Sequence, residues 1–140
     1  MEIKVKKLST SATIPTKANK SDAGWDLYAS ADAIIDPSKT ELISTDISFA
    51  IPDGYVGLIW DRSGMAVKRG LHRFAGVIDS GYRGEVKVCL WNSTDKYSII
   101  HAGERIAQII FQEVPQFYLK EVASLDTTER GEGGFGSSGL

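Results

Sequence analysis

An all-β sandwich or barrel is the fold class this sequence predicts, on three observations. Turn signals recur about every ten residues, at Asp36-Pro-Ser38, Pro52-Asp-Gly54, Ser80-Gly81 and Asn92-Ser-Thr-Asp95 among others. The runs between them are short, and several alternate apolar with polar side chains, the period of a half-buried strand. Only residues 62–70 break that rhythm before the C-terminal tail.

Taken in order, residues 2–8 set Ile3 and Val5 against lysines, which suits an opening strand. Pro15 and the polar stretch 17–22 make a loop. Residues 23–29 read as a short strand with Asp26 inside it. Asp is depleted in strands, so Asp26 is either a surface edge residue or a carboxylate facing a ligand cavity. Ile34-Ile35, residues 40–51 and the apolar run 55–61 supply further strands. In Arg62-Ser-Gly-Met-Ala-Val-Lys-Arg-Gly70, Ser63 is a plausible helix N-cap and Gly70 a plausible stop. A helix start carrying a guanidinium, a hydroxyl and free N–H groups reads as an anion site or as a plain capped turn.

The run Ala75-Gly-Val-Ile-Asp-Ser-Gly-Tyr-Arg-Gly-Glu-Val86 reads as a β-hairpin, with Asp79 and Tyr82 facing each other across Ser80-Gly81. An Asp beside a tight turn is usually turn chemistry. Here glycines at 76, 81 and 84 also leave backbone open to something flat. Residues 85–92 form a strand with Val86, Val88 and Leu90 on one face and Glu85, Lys87, Cys89 and Trp91 on the other. Another strand begins over residues 97–100. In residues 103–111, Arg105, Ala107, Ile109 and Phe111 share one face and Ile106, Gln108 and Ile110 the other. A buried Gln108 needs a hydrogen-bond partner. Residues 114–122 supply the last strand.

These elements make one barrel domain over residues 1–126, followed by a flexible glycine-rich arm over 127–140. Gly131, Gly133 and Gly136 fit a dinucleotide-binding spacing, but no βαβ unit surrounds them. A kinase-type glycine loop fails for want of its downstream residues.

At 140 residues, with 42% hydrophobic and 24% charged residues, the chain can bury a single core. A formal charge of -2 argues against duplex nucleic acid as a partner, while a small polyanion needs only a few local cations. The single cysteine, Cys89, cannot form an internal disulfide, and two histidines far from it make no zinc site. No run approaches a membrane span, and the N-terminus lacks the apolar core of a signal peptide, so the cytoplasm is the expected location.

Five stretches then stand in order along nearly the whole chain: Ala23-Gly-Trp-Asp-Leu, Asp61-Arg-Ser-Gly-Met-Ala66, Gly76-Val-Ile-Asp-Ser-Gly-Tyr-Arg-Gly84, Gly103-Glu-Arg-Ile-Ala-Gln108 and Arg130-Gly-Glu-Gly-Gly-Phe-Gly-Ser-Ser-Gly139. Together they resemble the five motifs of the trimeric all-β dUTPase (deoxyuridine 5′-triphosphate nucleotidohydrolase) family. The resemblance implies a jelly-roll-like subunit, a homotrimer with active sites at subunit interfaces, and Mg²⁺-assisted hydrolysis of dUTP to dUMP and pyrophosphate. Such a reaction limits uracil incorporation into DNA and supplies dUMP for thymidylate synthesis. It implies Asp79 as the general base that activates the attacking water, and Tyr82 as the aromatic packed on deoxyribose. Main chain at Gly76, Val77 and Ile78 would read uracil, with Lys87 also among the substrate-binding residues. Arg62, Ser63, Gly64 and Gln108 match phosphate-contacting positions, and Asp26 a carboxylate reaching the metal through water. Arg130, Phe135, Gly136, Ser137 and Ser138 match an arm that closes over the nucleotide, Phe135 stacking on uracil.

Several positions depart from that pattern, Ser80-Gly81 among them as a more flexible tip than the commoner acidic pair. Asp61 stands where Pro or Ser is more usual, adding negative charge beside the phosphate site or pairing with Arg62 or a nearby lysine. Arg73 and Phe74 replace apolar or small residues. The rival readings are a dCTP deaminase of the same fold, which needs a catalytic Glu and lacks this arm, a non-catalytic nucleotide-binding regulator, and a structural trimer.

Overall fold

The computed structural model describes residues 2–137, which form short antiparallel strands and a single helix in a jelly-roll-like arrangement. In chain order these are β1 (Lys4–Lys7), β2 (Trp25–Tyr28), β3 (Ala33–Ile35), β4 (Thr40–Ile43), β5 (Ile47–Ala50), β6 (Tyr55–Trp60), α1 (Ser63–Arg69), β7 (Leu71–Phe74), β8 (Val77–Ile78), β9 (Val88–Asn92), β10 (Ser98–Ile100) and β11 (Arg105–Glu113). The largest sheet runs β2-β11-β6-β8; a second runs β4-β9-β7, and β1-β5 and β10-β3 are two-stranded. Almost every neighbour is distant in sequence, so the chain crosses repeatedly between layers around one core.

That core is aliphatic. Leu27, Ile35, Ile47, Leu71, Ile100, Ile106 and Ile109 are fully buried, and Val86, Val88 and Leu90 nearly so. Each such side chain contributes about 1.5–3 kcal/mol when taken from water. The one fully buried Asn is satisfied: Asn92 Nδ2 donates to the carbonyls of Ile35 (3.0 Å) and Lys96 (2.7 Å), and its Oδ1 accepts from Thr94. Helix α1 ends as the sequence predicts, with Gly70 left-handed (φ 61°) and its N–H closing on Ala66. Arg69 ties the helix to the β10–β11 turn through Glu104 (2.7 Å) and Ser98 (2.9 Å).

Four sequence expectations change. The arms of the Ser80-Gly81 turn do not pair with each other: β8 joins β6, whereas β9 joins β4 and β7, and residues 83–87 lie in no strand. The apolar face of Val86, Val88 and Leu90 draws the return arm into the second layer, where it buries completely. Ser63 is the first helical residue, not the N-cap; Arg62 holds that place in extended conformation, with no side-chain cap. In β11 a register shift between Arg105 and Ala107 turns both Ile106 and Ala107 inward, so the expected alternation fails at its start. Finally, residues 114–122 form no strand among the described residues. Pro115 has no N–H to give a ladder, and Phe117, Tyr118 and Leu119 stand at least 84% exposed.

Candidate active site

Two pockets gather the predicted residues, one at each edge of the β2-β11-β6-β8 sheet. The first, about 210 Å³, is lined by Ala18, Asp22, Gly24, Asp26, Arg62, Ser63, Arg105 and Gln108. The second, about 350 Å³, is lined by Leu42, Val77, Ile78, Asp79, Tyr82, Glu85 and Lys87. A larger cavity of about 510 Å³ has walls such as Val5, Trp25, Phe49 and Phe111 and no charged lining residue, so it offers no chemistry.

The first pocket is built on ladder register. Asp26 on β2 stands opposite Gln108 on β11, which stands opposite Trp60 at the end of β6, so the chain leaving β6 delivers Arg62 to Asp26. Arg62 Nε donates to Asp26 Oδ1 at 2.7 Å, and Arg105 Nη1 reaches Oδ2 at 3.4 Å. The carboxylate is mostly buried between two guanidiniums, which explains an Asp inside a strand. Gln108 Nε2 donates to the Asp61 carbonyl at 2.8 Å. Gly24 makes room for it, since an added Cβ would lie 2.3 Å from Gln108 Oε1. Ser63 and Gly64 begin α1, where N–H groups have no helical acceptor.

Asp61 pairs with neither Arg62 nor a lysine. Its carboxylate accepts the Arg73 N–H at 2.6 Å and faces His72 Nδ1 at 3.2 Å, tying the β6 exit to β7. Arg73 lies over the Trp60 ring at 4.8 Å, and Phe74 stacks on Trp91 at 5.7 Å. These departures therefore pack the outer face beside the site.

The second pocket is made differently. β8 is only Val77–Ile78, paired with Leu58 and Gly57 of β6, and its main chain lies at the sheet edge. Gly76 enters it at φ 110°, its carbonyl accepting the Ile59 N–H at 2.8 Å; an added Cβ would meet that residue's own carbonyl at 3.1 Å. The Asp79–Tyr82 turn closes with the Tyr82 N–H on the Asp79 carbonyl at 3.1 Å. Tyr82 and Val77 are exposed, Glu85 pairs with Lys87 at 3.4 Å, and the Asp79 carboxylate takes no hydrogen bond among the described residues. Asp46, beneath the return arm, has its carboxyl held below the usual range, chiefly by the Ser9 hydroxyl at 2.5 Å.

Three strand spacings separate β2 from β8, roughly 14 Å across the sheet. That separation holds between Asp26 and the β8 edge that leads into the Asp79–Tyr82 turn; Gln108, on β11, stands two spacings from β8, and Arg62 follows β6. In the arm, Arg130 closes a local turn on Gly133 at 2.8 Å, Phe135 is fully exposed, and Gly136 and Ser137 are also exposed. None of these four lines either pocket, and Ser138 lies outside the described residues. Arg105, Asp22, Leu42 and Glu85 are lining residues that sequence reasoning did not single out. Arg105 left a signal, as a lone cation at the start of the apolar run 105–111.

A family model described as dUTPase matches residues 10–139. The chain belongs to the dUTPase family. It is 47% identical over 139 residues to the deoxyuridine 5'-triphosphate nucleotidohydrolase of Candida albicans, covering 98% of this chain and 87% of that one. With the enzyme of that name from Saccharomyces cerevisiae it shares 46% identity over 138 residues, 98% of this chain and 94% of the other. Among solved structures, the dUTPase of Staphylococcus bacteriophage 80alpha with dUpNHpp superposes at TM-score 0.93 with 33% identity, covering 99% of both chains. A variant dUTPase from phage phi11 of S. aureus, described with a structural Mg(II) ion, superposes at 0.85 with 26% identity over 91% of this chain and all of that one. Within the dUTPase fold, the two edge pockets hold the charge pairs around Asp26 and the exposed Asp79–Tyr82 turn.

Proposed function

We propose that this chain hydrolyses dUTP to dUMP and pyrophosphate, with Asp79 as general base. One observation carries the assignment of the base. Of the carboxylates lining the two pockets, Asp22 accepts the Asn19 N–H, Asp26 is held by two arginines, and Glu85 accepts the Asp46 N–H and pairs with Lys87. Asp79 alone among them is uncommitted, and an ionised carboxylate within reach of a water can take its proton. The water oxygen bonds to the α-phosphorus, the bond to the bridging α–β oxygen breaks, and pyrophosphate carries away the electron pair.

The edge main chain of Gly76, Val77 and Ile78 offers donors and acceptors to a pyrimidine, and a site built for one hydrogen-bond pattern rejects its mismatch strongly. The Tyr82 ring suits the flat face of a sugar without a 2′-hydroxyl, and Lys87 adds positive charge nearby. Arg62, Ser63, Gly64 and Gln108 suit the triphosphate. The separation of roughly 14 Å supports a site shared between two copies, one giving Asp79 and Tyr82 and the other the phosphate groups, as a homotrimer with interfacial sites requires. The exposed Phe117, Tyr118 and Leu119 are apolar surface available to such contacts. Arg130, Phe135, Gly136, Ser137 and Ser138 would order over the bound nucleotide.

Both Asp26 oxygens already take guanidinium donors, and no cluster of three metal-binding side chains exists among the described residues. This donor set fits Mg²⁺ only as an ion carried by the phosphates and its own waters, reached by Asp26 through water. When bound, the ion neutralises phosphate charge. The product dUMP serves thymidylate synthesis, and the reaction limits uracil in DNA.

The test is pyrophosphate release from dUTP, dCTP, dTTP and UTP with Mg²⁺, on wild type and Asp79→Asn. Release from dUTP alone, lost in the variant, is the expected result. Ammonia from dCTP would move the chain to the deaminase reading, and tight dUTP binding without turnover to a regulator.

A further inference from the structure

The return arm of the Asp79–Tyr82 turn is held by residues that line neither pocket. Residues 83–87 lie in no strand, yet Tyr82 depends on them: its hydroxyl donates to the Glu85 carbonyl at 2.9 Å. The phenol lies so close over Gly84 that an added Cβ there would sit 2.4 Å from its oxygen. Three bonds from the β4–β5 link fix this arm. Thr45 Oγ1 donates to the Val86 carbonyl, the Val86 N–H donates to the Ile47 carbonyl at 2.9 Å, and the Asp46 N–H donates to Glu85 Oε1 at 3.1 Å. Thr45 is 1% exposed, so its hydroxyl must be paired inside. Asp46 is left-handed (φ 52°) and is tied in turn to Ser9 Oγ at 2.5 Å and, through its carbonyl, to the Leu8 N–H at 2.7 Å.

We propose that Thr45 and Asp46 are specificity-positioning residues: they set where Tyr82 sits, and so how firmly a 2′-hydroxyl is refused. This rests on the reading of Tyr82 as the residue that packs on the sugar. Refusal by exclusion needs a ring that cannot yield, and an exposed tyrosine on an unladdered segment yields unless the segment is pinned. The pins act on the backbone that carries the phenol's acceptor, so loosening them moves the ring while Asp79 and the phosphate pocket stay in place.

The test compares kcat/KM for dUTP and UTP in wild type, Thr45→Val, Thr45→Ser and Glu85→Ala. Thr45→Val deletes the buried hydroxyl at nearly constant volume; Thr45→Ser restores it. Glu85→Ala removes the other pin from a side chain that is 21% exposed and outside the buried core, where folding is not at stake. Thr45→Val and Glu85→Ala should each lower the dUTP-to-UTP preference roughly tenfold, with dUTP turnover retained in Thr45→Val and selectivity regained in Thr45→Ser. A fall in thermal stability with the preference unchanged overturns the proposal, and if Thr45→Val does not fold, Glu85→Ala decides alone. Calorimetric binding of dUpNHpp and its ribo counterpart keeps this separate from the reaction. A wild type that does not hydrolyse dUTP but prefers the deoxy analogue sinks only the hydrolytic reading, and the variants' binding ratios then decide. No preference between the deoxy and ribo analogues in wild type, in binding or in kcat/KM, overturns this proposal together with the reading of Tyr82, and leaves the hydrolytic reading to its own test.

Discussion

At the β2 edge of the four-stranded sheet, Asp26 already has its partners; at the β8 edge, the Asp79 carboxylate has none among the described residues. Asp26 is clasped by Arg62 and Arg105, and Gln108 is bonded to the Asp61 carbonyl before any ligand arrives. A pocket proposed to take a triphosphate concentrates positive charge, and that charge needs an internal counter-ion to remain folded and aimed when empty. In the proposed function the β8 edge reads through main chain and acts through one carboxylate, and its geometry comes from a two-residue strand, a left-handed glycine and the pins beneath the return arm. Half of the proposed site is organised by charge pairs and half by backbone.

The largest effect should come from the unpaired side. Asp79→Asn is expected to cost about 10³-fold in turnover of dUTP while leaving affinity for dUpNHpp and the unfolding midpoint near wild type. Steady-state kinetics with calorimetry checks all three, and a variant that also lost binding would mean Asp79 shapes the pocket instead of the proton transfer.

Asp26→Ala should behave in the opposite way. It leaves two guanidiniums facing each other without their counter-ion, costing about 2 kcal/mol in stability, less than a fully buried pair because both arginines are partly exposed. Denaturant unfolding reads that loss. Stability equal to wild type would mean that the clasp contributes nothing to the empty pocket. Gly24→Ala is subtler. Its Cβ, 2.3 Å from Gln108 Oε1, displaces the amide from the Asp61 carbonyl, so KM for dUTP should rise about tenfold with kcat less affected. An unchanged KM would remove Gln108 from the phosphate set.

How much was legible in the sequence follows the same division. The short alternating runs and the turns rich in Gly, Pro, Asp and Ser gave the all-β class and most strands, and Asp26 stood out because Asp is depleted in strands. Gln108 announced itself in the same way, as an amide in an apolar run. What stayed hidden was pairing at a distance. Ser80-Gly81 has hairpin chemistry, yet its arms go to different sheets, because the burial of Val86, Val88 and Leu90 outweighs the local turn preference. The β11 register shift that turns Ile106 inward leaves no local mark, and neither does the link from Thr45 to Val86 across 41 residues. Residues 114–122 have strand composition yet form no strand among the described residues, and composition cannot tell which surface a strand will meet.

Asp46 gives the finest test of the backbone-organised half, through pH. Its carboxyl is held below the ordinary range chiefly by the Ser9 hydroxyl, which outweighs the opposing effect of desolvation, with Ser30, Ser11 and Glu85 adding to the lowering. A carboxyl with a folded value below its unfolded one stabilises the fold fully above the unfolded value, about 3.9, and that stability drains as pH falls through the folded value. Asp46→Asn removes the charge but keeps a side chain that tolerates the left-handed backbone, so strain does not confuse the comparison. Wild type should therefore unfold at a higher temperature than Asp46→Asn above about pH 5, and the gap should narrow as pH falls through the lowered folded value. Parallel curves across that range would mean that the serine cluster holds Asp46 by geometry alone, and that its charge plays no part in seating the arm above it.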